Sequence, residues 1–295
     1  MHVAVLGADR LGRAVAQVCA VAGHDVSLHD DEANVVMDGI DAIEGRLSDE
    51  SDAVDRLSGT TGLEAAVGDA DVVVETAGTD TGDLQSTLAE LEPFVARETV
   101  VALAASGVSV TAAAAGLRHP DRAIGLQFRD PLDAPLVEVV VADQTSRETC
   151  DRTRAFVAGL DRTPVVVRDA PGVGSTRAAL ALEAEAMRLV DEGVAGVGAV
   201  DDALELGFDH ASGPLEQADR AGLDNRLAAL ERLHAELGER FAPPDILRER
   251  VAAGNTGGPR GEGFYLWENG EPTEPALADP DIPRREQAPD DPAEE

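Results

Sequence analysis

The sequence predicts an α/β domain built on a mostly parallel sheet, followed by an all-α domain. Two observations predict it. From Val3 to Val167 short apolar runs alternate with helical periodicities, the pattern of strand–helix–strand units. After Asp169-Ala170-Pro171-Gly172 the strand-like runs stop and long helical patterns take over. At 295 residues the chain is long enough for two domains, each with its own core.

The elements follow in order. Val3 to Leu6 is a short apolar run ending at Gly7. Leu11, Ala14, Val15, Val18, Cys19 and Ala22 then recur at the spacing of an amphipathic helix, which Gly23 closes. Val26-Ser27-Leu28 is the second strand and runs into Asp30-Asp31. This strand–turn–helix–strand opening is the entry unit of a Rossmann-type dinucleotide-binding domain. Further strands are expected at Val72-Val73-Val74, Val100 to Leu103, Ala123 to Phe128, Leu136 to Val141 and Pro164 to Val167. Helices are expected over Thr176 to Glu192, Ala199 to Leu206, Leu215 to Leu237 and Pro244 to Ala253. From Glu271 the chain is rich in Pro, Asp and Glu, which reads as a disordered tail. The expected organisation is thus a Rossmann-type domain over residues 1–170, a helical domain over 171–270 and an acidic tail over 271–295.

Composition narrows the setting. There are 57 acidic against 24 basic residues, and every basic residue is Arg. The acids sit between well-formed apolar periodicities, which a disordered chain would not show. The expected cause is adaptation to a salt-rich cytoplasm: in ~1 M salt the Debye length is about 3 Å, so acidic self-repulsion is screened. A net charge of −33 argues against nucleic acid or an anionic membrane as partner. No apolar run approaches the roughly 18–20 residues of a membrane span, and the N-terminus lacks signal-peptide features, so the expectation is a soluble, cytoplasmic protein. Cys19 continues an apolar stripe, Cys150 falls on a helix, and the six histidines show no ligand spacing; no metal site is expected.

The first turn reads Gly7-Ala8-Asp9-Arg10-Leu11-Gly12. It keeps the first and third glycines of G-x-G-x-x-G and sits between a strand and a helix, where backbone N–H groups meet a pyrophosphate. Asp30, 23 residues after Gly7, is placed to hydrogen-bond an adenosine ribose 2′-hydroxyl, which favours NAD over NADP. Asp9 occupies the middle glycine position with an anion. Two like charges ~4 Å apart repel by about 1 kcal/mol in water and about 4 kcal/mol at an effective dielectric of 20. Arg10 can offset this by turning toward the phosphates. The alternative is a Rossmann scaffold that no longer binds a nucleotide.

Several segments, in order, carry a resemblance. They are Asp71-Val72-Val73-Val74-Glu75, Ala123-Ile124-Gly125-Leu126-Gln127-Phe128-Arg129-Asp130-Pro131, Leu136-Val137-Glu138-Val139-Val140 and Thr163 through Gly172. The helical half adds Leu206-Gly207-Phe208, Gly213-Pro214-Leu215-Glu216-Gln217-Ala218-Asp219, Gly222-Leu223-Asp224 and Gly261-Glu262-Gly263-Phe264-Tyr265. Together with the N-terminal strand–turn–helix–strand unit they span residues 1 to about 267, and the chain resembles the 3-hydroxyacyl-CoA dehydrogenase family.

The resemblance implies NAD-dependent oxidation of a 3-hydroxyacyl-CoA to a 3-oxoacyl-CoA in fatty-acid or short-chain acyl-CoA metabolism, by a homodimer. It makes Gly7, Asp9, Arg10, Leu11, Gly12, Asp30 and Glu75 the candidate cofactor-binding residues. Members use a His base oriented by a Glu, with a Ser and an Asn that hold the substrate. Here the base position is Gln127, the Glu is Glu138, the Ser is Ser106 and the Asn position is Thr176. Gln127 can donate and accept hydrogen bonds but cannot carry a proton at neutral pH. Glu138 in a Val-rich strand needs a partner, and the Gln127 amide is the expected one. His119 is expected on a solvated turn, and His210 is a weaker candidate for a substitute base. Two readings stay open: a dehydrogenase with an altered active site, and a non-catalytic relative that keeps the fold for binding, dimerisation or regulation.

Overall fold

The computed structural model describes residues 1–47, 51–104 and 107–280. Two units emerge, Met1–Gly174 and Ser175–Glu295. The first is built on one eight-stranded sheet with helices α1 (Arg10–Val21), α2 (Ala33–Arg46), α3 (Ser51–Val54), α4 (Leu63–Val67), α5 (Thr81–Leu91), α6 (Val110–Ala113) and α7 (Arg147–Gly159). Its strands are β1 (His2–Leu6), β2 (Asp25–His29), β3 (Leu57–Thr60), β4 (Val72–Glu75), β5 (Val100–Leu103), β6 (Ala123–Phe128), β7 (Leu136–Val141) and β8 (Thr163–Arg168). They lie in the order β3-β2-β1-β4-β5-β6-β7-β8. β1 to β6 are parallel, β7 reverses against β6, and β8 runs parallel to β7. The winding direction changes between β1 and β4, the switch point at which open α/β sheets bind their ligands.

The alternation within each strand explains why both faces are covered. Val3, Val5, Val26, Leu28 and Val74 face one side, where α1 (Arg10–Val21) and α2 (Ala33–Arg46) supply Val15, Cys19 and Ile43. Ala4, Leu6, Val73, Val101 and Leu103 face the other, covered by Leu84, Leu88 and Leu91 of α5 (Thr81–Leu91). The expected strands are all present. β3 was not expected: its Leu-Ser-Gly-Thr sequence carries one large apolar residue because it is the edge strand and is half-exposed. Cys19 is fully buried, and burial pushes its thiol up to about 12, as a core residue requires.

One buried ion pair ties the loop after α5 to the sheet. Arg122 donates from Nη2 to Glu92 Oε1 at 3.0 Å, and Glu92 also accepts the N–H groups of Arg118 and His119. Burial alone raises the Glu92 carboxyl, but those two N–H groups and the Arg122 guanidinium outweigh it and hold it below its ordinary value. A lowered folded value means stability that is present above the unfolded pKa, about 4.3, and is lost as pH falls through the folded one. Glu92→Gln leaves Arg122 buried without its counter-charge and is expected to cost about 3 kcal/mol at pH 7. Urea titrations from pH 7 to pH 3 should show a shallower acid loss for the variant than for the wild type.

The second unit is helical, with α8 (Ser175–Asp191), α9 (Val197–Phe208), α10 (Pro214–Ala221), α11 (Leu223–Leu237) and α12 (Asp245–Ala252). Leu180, Met187, Leu215, Leu223, Leu230 and Phe264 form its core. The helix expected over Leu215 to Leu237 is two helices, because Gly222 at φ +88° breaks the backbone between them. The stretch expected to be disordered from Glu271 begins with structure instead. β9 (Tyr265–Glu268) and β10 (Glu271–Pro275) form a hairpin, so the helical unit also carries a small sheet. Its turn is Asn269-Gly270, both at positive φ (54° and 85°), the conformation that a two-residue hairpin demands.

Candidate functional site

The loop after β1 is shaped by two glycines. Gly7 sits at φ +100°, and a Cβ there would lie 2.7 Å from Thr76 Oγ1. A Cβ on Gly12 would overlap the Gly7 carbonyl, so α1 packs directly on the loop. The loop is held on both sides: Gly7 N–H donates to the His29 carbonyl at 2.9 Å, and Thr76 Oγ1 donates to the Leu6 carbonyl at 2.8 Å. Thr76 was not singled out from the sequence; its role rests on a contact with the end of a strand 70 residues earlier.

Asp9 is the N-cap of α1. Its backbone is extended, and Oδ1 accepts the N–H groups of Leu11 at 3.1 Å and Gly12 at 2.9 Å. An N-cap carboxylate stabilises its helix by about 1 kcal/mol. An Asp just before a helical periodicity is a helix-start signal, so this cap was open to sequence reasoning. Arg10 is exposed at the first residue of α1, while Arg13 Nε donates to the Ala8 carbonyl at 2.6 Å.

Two acids at strand ends face this loop. Asp30, just past β2, accepts from Ala8 N–H at 3.1 Å and from Glu32 N–H at 3.2 Å, so its carboxylate lies beside the turn. Glu75 ends β4 and is 1% exposed. Oε1 accepts Ala77 and Gly78 N–H, each at 2.9 Å, while Oε2 is buried with no hydrogen-bond partner. Burial pushes the Glu75 carboxyl up; the Gly78 and Ala77 N–H groups oppose this, and the nearby charges of Asp9 and Asp83 reinforce it. Loop, switch point, Asp30 and the orphaned Glu75 oxygen together fit a dinucleotide. The Asp9 carboxylate, however, stands on the N–H groups that its pyrophosphate would use.

A second group forms where β6 and β7 pair. The antiparallel register sets Gln127 directly opposite Glu138, so both side chains leave one face of the sheet as cross-strand neighbours. Glu138 is 2% exposed and Gln127 half-buried. Gly174 closes over this pair: a Cβ there would lie 2.6 Å from Glu138 Oε1. Sequence reasoning missed Gly174, although a glycine following Pro171-Gly172-Val173 marks a tight segment, and Val173 itself sits at φ +44°. Ser106 lies outside the described residues. Thr176 is the second residue of α8 and half-buried, and His210 follows α9; both belong to the second unit. His119 is exposed. No group of His, Cys, Asp or Glu among the described residues is arranged to hold a metal ion.

A glycine-turn loop at the switch point of a parallel sheet, followed by a helical unit, is the architecture of a dinucleotide-binding protein. Residues 2–170 match the family model for the 3-hydroxyacyl-CoA dehydrogenase NAD-binding domain, and residues 172–267 match the 3-hydroxyacyl-CoA dehydrogenase C-terminal domain. The chain belongs to the 3-hydroxyacyl-CoA dehydrogenase family, and its cofactor is NAD. It is 36% identical over 279 residues to a probable 3-hydroxybutyryl-CoA dehydrogenase of Deinococcus radiodurans, covering 90% of this chain and all of that one. It is 30% identical over 285 residues to the mitochondrial hydroxyacyl-coenzyme A dehydrogenase of Sus scrofa, covering 90% of this chain and 91% of that one. Among solved structures it resembles the (S)-3-hydroxybutyryl-CoA dehydrogenase PaaH1 of Ralstonia eutropha, with a TM-score of 0.86 and 31% identity over 91% of this chain and 99% of that one.

Proposed function

We propose that the chain oxidises a 3-hydroxyacyl-CoA to the 3-oxoacyl-CoA in fatty-acid or short-chain acyl-CoA metabolism, using a site in which proton transfer is weakened. The observation that carries this reading is the Gln127–Glu138 register pair, which keeps a carboxylate behind the position where the base would stand. NAD, when bound, would supply the hydride-acceptor chemistry for oxidation at C3 of the substrate. Gln127 orients the substrate hydroxyl by hydrogen bonding, and its amide cannot retain the proton, which passes to water. The family's two substrate-holding positions are Ser106 and Thr176 in this sequence, and each carries a hydroxyl. Asp30 accepts from the adenosine ribose, and Gly7, Arg10, Leu11, Gly12 and Glu75 border the cofactor.

The non-catalytic reading draws on a specific pair of observations. Gln127 cannot act as a base, and Asp9 sits on the pyrophosphate position. NADH binding followed by fluorescence, with acetoacetyl-CoA reduction assayed in molar KCl, separates the two. Turnover with tight NADH binding rules out the non-catalytic reading; no binding of either ligand rules out the enzyme.

The same proposal includes a salt-rich cytoplasm and a homodimer. No helix among the described residues is long and apolar enough to cross a membrane. Melting temperatures that do not rise with KCl would count against the salt-rich setting, and a monomeric mass in sedimentation against the dimer.

A further inference from the structure

We infer that Asp9 is an internal competitor for the cofactor's pyrophosphate, and that it makes NAD(H) affinity in this chain rise with salt. The inference rests on the NAD assignment and adds a control on it. Asp9 Oδ1 already holds Leu11 N–H and Gly12 N–H at 3.1 and 2.9 Å, the two donors that begin α1. A pyrophosphate reaching the helix start must displace that carboxylate and then sit beside it.

The side chain has room to leave. Asp9 is exposed, and its backbone at φ −76° and ψ −171° is ordinary for a cap, so rotation about χ1 releases it without moving the loop. What it leaves behind is an acidic mouth. Asp30 and Glu75 face the same turn, and Asp83 adds to the field at Glu75. Arg13 spends its Nε on the Ala8 carbonyl, which leaves exposed Arg10 as the cation nearest the cap in sequence. Incoming phosphate charge therefore meets Asp9 together with Asp30 and Glu75.

Salt acts on this in a distinctive direction. In most dinucleotide sites, attraction between phosphates and the helix start is weakened by screening. Here the repulsion from Asp9 is screened as well, and it is the larger effect at short range. Like-charge repulsion at ~4 Å corresponds to about fivefold in affinity in water and several hundredfold at an effective dielectric of 20.

The test is fluorescence titration of NADH into the full-length wild type, Asp9→Gly, Asp9→Asn and Asp41→Asn, from about 0.1 M to about 2 M KCl. Asp9→Asn keeps a capping oxygen without the charge, and Asp41→Asn removes one exposed acid from α2 as a control for global salt effects. Circular dichroism at each salt establishes that every variant is folded. The wild type and Asp41→Asn should bind NADH more tightly as KCl rises. Asp9→Gly should bind at least about fivefold more tightly than wild type at low salt, and both Asp9 variants should lose the rise. Equal salt slopes for wild type and Asp9→Gly would overturn the inference while leaving the NAD assignment intact. Absence of NADH binding by every folded variant at every salt would overturn the NAD assignment and the inference with it.

Discussion

Replacing Gln127 with histidine is expected to raise turnover by about 10²–10⁴-fold, the usual contribution of a positioned general base. Gln127 stands opposite Glu138 on one face of the sheet, so an imidazole there can give one ring N–H to the Glu138 carboxylate. Its other nitrogen is then aimed at the substrate oxygen. The gain should fall on kcat at saturating cofactor, with KM for the acyl-CoA changing much less, because proton transfer and not ground-state binding is restored. A carboxylate neighbour raises an imidazole pKa above its ordinary value of about 6.5. Acetoacetyl-CoA reduction needs the protonated ring, so kcat/KM of the variant should fall as pH rises through that pKa; oxidation should show the opposite limb. Wild type should show neither limb. Adding Glu138→Gln should remove most of the gain, while Gln127→Asn should give none. A folded, NADH-binding Gln127→His variant with wild-type rates would place the reacting centre elsewhere.

The largest stability effect is expected at Asp219, which is fully buried in the second unit. Oδ1 accepts Phe264 N–H at 2.9 Å, and Oδ2 accepts Tyr265 N–H at 2.9 Å and Trp267 Nε1–H at 3.0 Å. Gly263 passes so close that a Cβ there would overlap the carboxylate, which its three donors prevent from moving aside. Asp219→Ala strands all three donors away from water and is expected to cost roughly 3–5 kcal/mol. Asp219→Asn keeps one acceptor oxygen but turns an amide donor toward the others, and should cost roughly 2–3 kcal/mol. Trp267 is the only tryptophan, so its emission reports the loss of this contact directly alongside a urea melt. Stability unchanged in both variants would mean that the hairpin is held by its apolar contacts alone.

Much of the nucleotide half was legible because its signals are local. A run ending in glycine, a helical stripe and a second run ending in Asp30 prescribe strand, turn, helix and strand with little help from the rest of the chain. The missed elements failed for identifiable reasons. β3 is an edge strand whose pairing, not its side chains, makes it a strand. The Asn269-Gly270 turn was a readable hairpin signal masked by the proline-rich, acidic composition around it. Gly222 ended a helix whose apolar spacing continued past it, because periodicity registers side chains and not a left-handed backbone.

The sequence by itself determined the two-part architecture, the glycine turn and which residues depart from the family's pattern. Those properties follow from periodicity, glycine's backbone freedom and residue chemistry, all of which are written along the chain. Only the tertiary structure decided what those residues face. It turned the Asp9 carboxylate onto two α1 donors, buried one oxygen of Glu75 without a partner and set Gln127 against Glu138. Rotamers and strand register are chosen by the neighbours that packing supplies, and those neighbours come from distant parts of the chain.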